Sequence, residues 1–241
     1  MAHLKRILYG TYAIALFLVA GLVALALVLV TPGLARRRAI ARAGSRLFLR
    51  LAGMRLEVSG LDGLPAEPCV VVANHASYLD GVVFTAALPP RFGFVIKREM
   101  AAVPLAAAML RRIGAEFVER YNRSKGATDA RRLFRNAARG QSLVFFPEGT
   151  FSVRPGLNKF HAGAFITAAR TRCPVVPAVV RGTRAALPPG AILPRPATIV
   201  IDLLPALSAA SGDAESAADE LRERARSAIL MKLPEPDLAA A

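Results

Sequence analysis

The chain has 241 residues and a formal net charge of +15, from 32 Lys and Arg against 17 Asp and Glu. That length supports one large domain plus a short appended segment, and the charge calls for an anionic counter-surface, either nucleic acid or membrane. The lack of tryptophan, of zinc-finger spacing and of an aromatic–basic RNA-binding pattern argues against a nucleic-acid partner, and two cysteines without a CxxC pairing argue against a disulfide framework or a cysteine-based metal site.

Mean hydropathy is +0.40, high for a soluble globular chain. Much of the excess lies between Ile7 and Val30, which contains no charged residue. As a helix this run is about 36 Å long, enough to cross a hydrocarbon core of about 30 Å. It is longer than the apolar region of a signal peptide and is followed by basic residues, so it reads as an uncleaved anchor. Lys5 and Arg6 precede it, whereas Arg36, Arg37, Arg38, Arg42, Arg46 and Arg50 follow it. This asymmetry puts the main domain on the cytoplasmic side of a membrane. A break at Thr31-Pro32-Gly33 also allows a hairpin or interfacial pair of helices lying on the membrane. Ala35 to Leu51 reads as a basic amphipathic helix whose arginine face, Arg38 to Arg50, suits anionic headgroups. Residues 1–50 are thus the expected anchor and 51–241 the expected main domain.

Within that domain the elements alternate. Leu56–Ser59 and Cys69–Ala73 read as strands, Asp80–Leu88 as a helix stopped by Pro89-Pro90, and Phe92–Ile96 as a strand. Pro104–Ile113 is a helix ended by Gly114, Glu116–Glu119 a short strand, and Ser124–Ala138 a helix. Ser142–Phe146 is a strand, Lys159–Arg170 a helix, and Val175–Val180 and Ala197–Leu203 are strands. Gly212–Leu233 is expected as a charged, exposed helix and the tail after Pro234 as loose. The alternation predicts an α/β domain with a mostly buried central sheet flanked by helices, preceded by an N-terminal membrane-anchoring helical segment.

Chemistry concentrates where apolar strands break into polar turns. Val71-Val72-Ala73-Asn74-His75-Ala76-Ser77-Tyr78-Leu79-Asp80 carries a histidine and, five positions on, a carboxylate. If a helix starts near Ser77 or Tyr78, Asp80 sits in its first turn and reaches back to His75. An imidazole so held is a general base. No serine or cysteine stands in a nucleophile's place, so the base can act on a substrate hydroxyl directly. By itself such a pair is more often a loop polar or a helix cap.

Phe145-Phe146-Pro147-Glu148-Gly149-Thr150 is a second strand breaking into a turn. Glu148 can orient a base, bind a hydroxyl or pair with an arginine, and Gly149 permits close backbone approach. A solvated Pro-Gly turn is the ordinary alternative. Lys159 reads as a cation at a helix start, suited to phosphate, against the plainer reading of a surface lysine. Gly114 through Arg120 leads a strand into a guanidinium, whose donor fork also suits phosphate. A surface salt bridge to Glu116 or Glu119 explains that arginine equally well.

Together these blocks resemble the glycerolipid acyltransferase family, the 1-acyl-glycerol-3-phosphate (lysophosphatidic acid) acyltransferases. Asn74 to Asp80 matches the family's His-x4-Asp motif. Gly114 to Arg120 resembles its second block, Phe146 to Thr150 its third and Val176-Pro177-Ala178 its fourth, in order over residues 55–185. Lys97 and Glu99, with Pro104, resemble a further recurring segment. The resemblance implies acyl transfer from acyl-CoA or acyl-carrier protein to the free hydroxyl of lysophosphatidic acid, with no cofactor and no metal. His75 and Asp80 would be catalytic. Arg120, Lys159 and Lys97 would meet the acceptor phosphate, and Glu148, Gly149 and Thr150 would shape its pocket. Membrane lipids and a lysophospholipid acceptor are the expected partners, and acyl-carrier protein is a candidate.

Two positions depart from the family pattern. Phe151 stands where an arginine often follows the Pro-Glu-Gly-Thr turn, and Glu119 where an aspartate is common. They bear on the acceptor, and lyso-ornithine lipid or another lysolipid is the runner-up. The rival classes are a membrane-anchored hydrolase that activates water and a non-enzymatic lipid-binding protein.

Overall fold

The computed structural model describes residues 2–119, 123–210 and 213–239. Seven strands form one sheet, β1 (Arg55–Ser59), β2 (Val70–Ala73), β3 (Phe92–Lys97), β4 (Glu116–Val118), β5 (Ser142–Phe145), β6 (Val175–Arg181) and β7 (Thr198–Leu203). Their order is β1-β7-β6-β2-β5-β3-β4. β2, β3, β4, β5 and β6 run parallel, β1 pairs parallel with β7, and β6 pairs antiparallel with β7. Parallel strands need helical crossovers, which cover both faces and explain the near-continuous apolar runs.

The strand period divides the core into two layers. Val71, Ala73, Val144, Val176 and Val180 point to one face, where they meet Phe48, Leu49, Val83 and Phe84. These come from α2 (Leu34–Leu51) and α3 (Leu79–Ala87). Val70, Val72, Leu143, Phe145, Val175 and Val179 point to the other face. There they meet α5 (Arg123–Ala138), α6 (Gly163–Thr171) and α8 (Ala214–Lys232) through Leu133, Phe165, Leu221 and Ile229. Burying each large aliphatic or aromatic side chain contributes about 1.5–3 kcal/mol.

The N-terminal segment is a helical hairpin. α1 (Ala2–Val30) ends at the Thr31-Pro32-Gly33 break and α2 returns antiparallel to it. Tyr9 Oη donates to Ala52 O at 2.8 Å near one end, and the Phe17 and Phe48 rings meet edge to face at 5.3 Å. Near the turn, Arg112 of α4 (Pro104–Arg112) donates to Leu29 O. α1 is long and apolar enough to cross a membrane, and Leu18, Val19, Leu22 and Val23 on its outer side are exposed. Phe48 and Leu49 of α2 belong to the same core cluster as the sheet, so residue 50 falls inside a packed unit.

The arginines of α2 correct the sequence reading. Of these three arginines spaced by four, Arg38 is buried in the domain, and Arg42 and Arg46, half-buried and exposed, reach carbonyls of the domain with their guanidinium groups. Arg38 is 7% exposed and donates to Ile113 O, Arg91 O and Gly114 O at 2.9, 2.8 and 3.4 Å. Arg42 and Arg46 donate to Ala87 O and Ala86 O at 3.2 and 2.8 Å, satisfying carbonyls at the end of α3. Burial lowers the pKa of Arg38, and the nearby Glu116 charge works against that.

Three more expectations change. α6 begins at Gly163, so Lys159 precedes it and does not sit at its start. α8 is not merely exposed. Ala217, Leu221, Ala225 and Ile229 form a buried stripe, and Asp213 caps it by accepting from the Glu215 and Ser216 amides at 3.0 and 3.1 Å. The tail is held in place, with Leu157 bridged to Asp237. A short helix absent from the sequence reading, α7 (Thr183–Ala186), follows β6 at Gly182. Gly182 has φ +87, and a Cβ there would lie 2.1 Å from Thr198 O, so only glycine fits that turn.

Candidate active site

β2, β5, β3 and β4 are parallel neighbours, so their C-terminal ends deliver four loops to one edge of the sheet. His75 follows β2, Glu148 follows β5 and Lys97 ends β3. Sites in such sheets form at this edge.

His75 and Asp80 come together as the spacing predicts. α3 starts at Leu79, which puts Asp80 in its first turn. Asp80 Oδ2 lies 2.7 Å from His75 Nδ1 and also accepts the Ala76 and Ser77 amides at 2.7 and 2.9 Å. A helix N-terminus favours an anion at this point. The Asp80 side chain has no exposure, whereas that of His75 keeps 19%. Because the carboxylate accepts, Nδ1 carries the proton and Nε2 is the basic nitrogen. The loop is fixed from behind. Asn74 exchanges two hydrogen bonds with the Val180 backbone at 2.9 and 2.8 Å, and Ser77 Oγ donates to Leu187 O at 2.8 Å.

Glu148 bonds to the histidine loop, in keeping with the reading that it orients a base. It is 5% exposed and both its oxygens are taken by protein donors. Oε1 accepts the His75 amide at 2.7 Å, and Oε2 accepts the Asn158 amide and side chain at 2.9 and 2.8 Å. Burial raises its pKa above the ordinary value, and these bonds and the His75 charge oppose that rise. Glu148 therefore sets the backbone of the histidine while Asp80 sets the ring. Gly149 makes the turn at φ +79, and Thr150 lies exposed at the rim.

The ring is also boxed by aromatics. Phe146 stacks on His75 at 4.5 Å and 23°, and Phe151 meets it edge-on at 4.7 Å and 82°. The exposed Tyr78 ring continues the row, 4.8 Å from Phe151. Phe151 thus puts an apolar ring beside His75. Arg154, three residues on, is exposed.

Arg120 lies outside the described residues. Glu119, just before it, has its amide held by Asp129 Oδ2 at 2.8 Å, and Asp129 in turn accepts from Arg98 at 3.0 Å. Lys97 is half-buried on the same edge, two strands from β2, about 10 Å by strand spacing. Lys159 is exposed and adjoins Asn158, the Glu148 partner. Among the described residues no group of His, Cys, Asp and Glu gathers to hold a metal. An open cleft of about 450 Å³ lies beside the 151–158 loop, lined by Val153, Arg184, Pro188 and Glu235.

Asn158 and Arg226 received no role from sequence reasoning, and the stacking of Phe146 on His75 was not foreseen. Asn158 adjoins the lysine that drew attention, and nothing in its local spacing points to a glutamate ten positions earlier.

Comparison with known proteins agrees with this geometry. Residues 55–181 match the acyltransferase family. A chloroplastic 1-acyl-sn-glycerol-3-phosphate acyltransferase of Brassica napus is 33% identical over 138 residues, covering 56% of this chain and 40% of the relative. The chain thus spans about two-fifths of that relative's length. The 1-acyl-sn-glycerol-3-phosphate acyltransferase of Pseudomonas aeruginosa is 29% identical, over 73% of this chain and 67% of the relative. A lyso-ornithine lipid O-acyltransferase of the same organism is 32% identical, over 57% and 52%. The crystal structure of the 1-acyl-sn-glycerophosphate acyltransferase PlsC from Thermotoga maritima superposes with a TM-score of 0.75 at 20% identity, covering 95% of this chain and 97% of that one, which shows a shared fold. With the family match spanning residues 55–181, more than half of its length, the chain belongs to the acyltransferase family.

Proposed function

We propose that this protein transfers a fatty acyl group from a thioester, acyl-CoA or acyl-carrier protein, to the free hydroxyl of lysophosphatidic acid, forming phosphatidic acid. The observation that carries this reading is the 2.7 Å contact between His75 Nδ1 and the buried Asp80 carboxylate. It leaves Nε2 as the base. Nε2 takes the acceptor hydroxyl proton as that oxygen attacks the thioester carbonyl. The tetrahedral adduct collapses, the C–S bond breaks, and the imidazolium returns the proton to the departing thiolate. Asp80 stabilises the imidazolium in between. No acyl-enzyme is required.

Arg120, Lys97 and Lys159 are the proposed cations for the acceptor phosphate. The exposed apolar side of α1 supports a hairpin that lies in the membrane surface, and the excess of arginine after Val30 favours the catalytic domain on the cytoplasmic side. Both lysolipid and product reside in the bilayer, so docking there raises the effective acceptor concentration.

A second acceptor reading rests on Phe151. An aromatic edge against His75, in place of a cation, suits a headgroup with less phosphate character, such as a lyso-ornithine lipid. The test is acyl transfer in membranes, with labelled acyl-CoA and acyl-carrier protein against a panel of lysolipids. Product with lysophosphatidic acid supports the first reading, and product only with another lysolipid moves the acceptor. Free fatty acid as the sole product contradicts both.

A further inference from the structure

The C-terminal tail reaches the catalytic histidine through four contacts. Residues 151–158 leave the Glu148 turn and are gripped from two sides. On the tail side, the Gly156 amide donates to Glu235 Oε2 at 2.7 Å and the Leu157 amide to Pro236 O at 2.9 Å. The Leu238 amide returns a bond to Leu157 O at 3.0 Å. Gly156 has φ +144, and a Cβ there would strike Leu238 at 2.4 Å, so the tail lies against bare backbone. From α8, Arg226 donates to Leu157 O and Asn158 O at 3.2 and 3.3 Å while pairing with Asp237 through a two-pronged contact, one prong of 3.0 Å. Asn158 then holds Glu148, and Glu148 holds the His75 amide.

We propose that Arg226 and Asp237 form a latch that positions His75, by fixing Asn158 and through it Glu148. The proposal rests on the reading of His75 as the base. The Asp237 and Glu148 steps are charge-assisted hydrogen bonds, and the Arg226–Asn158 step, at 3.3 Å, is the longest in the route. Arg226 serves as a fork, bonded at once to the carboxylate and to two consecutive carbonyls, which a lysine cannot reproduce. A 1 Å misplacement of a base can cost about 10²-fold in rate, so a latch this remote can act on catalysis without touching substrate.

The test uses the full chain with Asp237→Asn, Arg226→Lys and Asp237→Glu, each checked for folding by circular dichroism. Asp237→Asn and Arg226→Lys should lower kcat about tenfold with KM for both substrates within about threefold, and Asp237→Glu should restore most of the loss. In a Glu148→Gln background the Asp237→Asn effect should shrink to within about twofold, because the route is already broken. Hydrogen–deuterium exchange over residues 74–80 should accelerate in Asp237→Asn while β6 stays protected. An undiminished loss in the Glu148→Gln background, or unchanged exchange over residues 74–80, would overturn the latch. Acyl transfer that survives His75→Ala would instead overturn the reading of His75 as the base, and with it the catalytic role of the latch, while leaving the exchange result as it stands.

Discussion

Asp80 holds His75 through a single carboxylate oxygen, which lies 2.7 Å from Nδ1 and also takes the amides of Ala76 and Ser77. Loop, helix start and imidazole are therefore fixed by one atom. Three donors converge on it, so it must be an acceptor, and its charge is what stabilises an imidazolium. Asp80→Asn keeps the volume and removes the charge. Its kcat should fall by about 10²-fold or more, with secondary structure retained. Steady-state kinetics within about threefold of wild type would show that the carboxylate is not part of the machinery.

Glu148 should leave a signature in stability against pH. Burial raises its folded pKa above the ordinary 4.5. A raised carboxyl pKa means that the folded state binds the proton more tightly than the unfolded state. Its contribution is therefore full below about pH 4.5 and is lost as pH rises through the folded value. Glu148→Gln has no such titration, so the decline in stability above that pH should flatten relative to wild type. Urea unfolding at a series of pH values reads this directly, and an identical slope in the two proteins would contradict it.

Phe151 is the proposed selector of the acceptor headgroup. Phe151→Arg adds a donor fork beside His75 and removes an aromatic edge. A new charge-assisted bond to phosphate is worth about 1.5 kcal/mol or more, so KM for lysophosphatidic acid should fall by about tenfold relative to a zwitterionic lysolipid. A parallel change for both acceptors would rule out headgroup selection at this position.

Much of this was legible because strand-to-loop transitions carry local signals. The apolar run into Asn74-His75 pointed to both β2 and the His75–Asp80 pair, and the helix start near Leu79 followed from the polar cluster before it. The α2 arginines were misread because their spacing of four describes a face equally well whether it meets lipid or the carbonyls of Ala86 and Ala87. The buried side of α8 was hidden because its stripe is mostly alanine, which gives weak amphipathic contrast amid many charges. The role of Glu148 depends on Asn158, and the fixing of the tail on Arg226 and Asp237. Such long-range pairings leave no periodic trace in a sequence.

Arg38 offers a test of the inward arginine face. Its guanidinium serves the carbonyls of Arg91, Ile113 and Gly114 from a buried position. Arg38→Met preserves bulk and strands those acceptors, so it should cost about 2–3 kcal/mol of stability. Arg50→Met, on an exposed position of the same helix, should cost under about 0.5 kcal/mol. Equal effects would mean that the arginines of α2 are interchangeable and that the carbonyl contacts of Arg38 carry no weight.

The most direct test of the central claim is acyl transfer by His75→Ala, reconstituted in membranes beside wild type with lysophosphatidic acid and labelled acyl thioester. Loss of transfer by about 10²-fold or more, with the protein folded and membrane-bound, is the expected result if Nε2 of His75 is the base. Transfer within about threefold of wild type would contradict it, and would place the chemistry of this sheet edge on some other group.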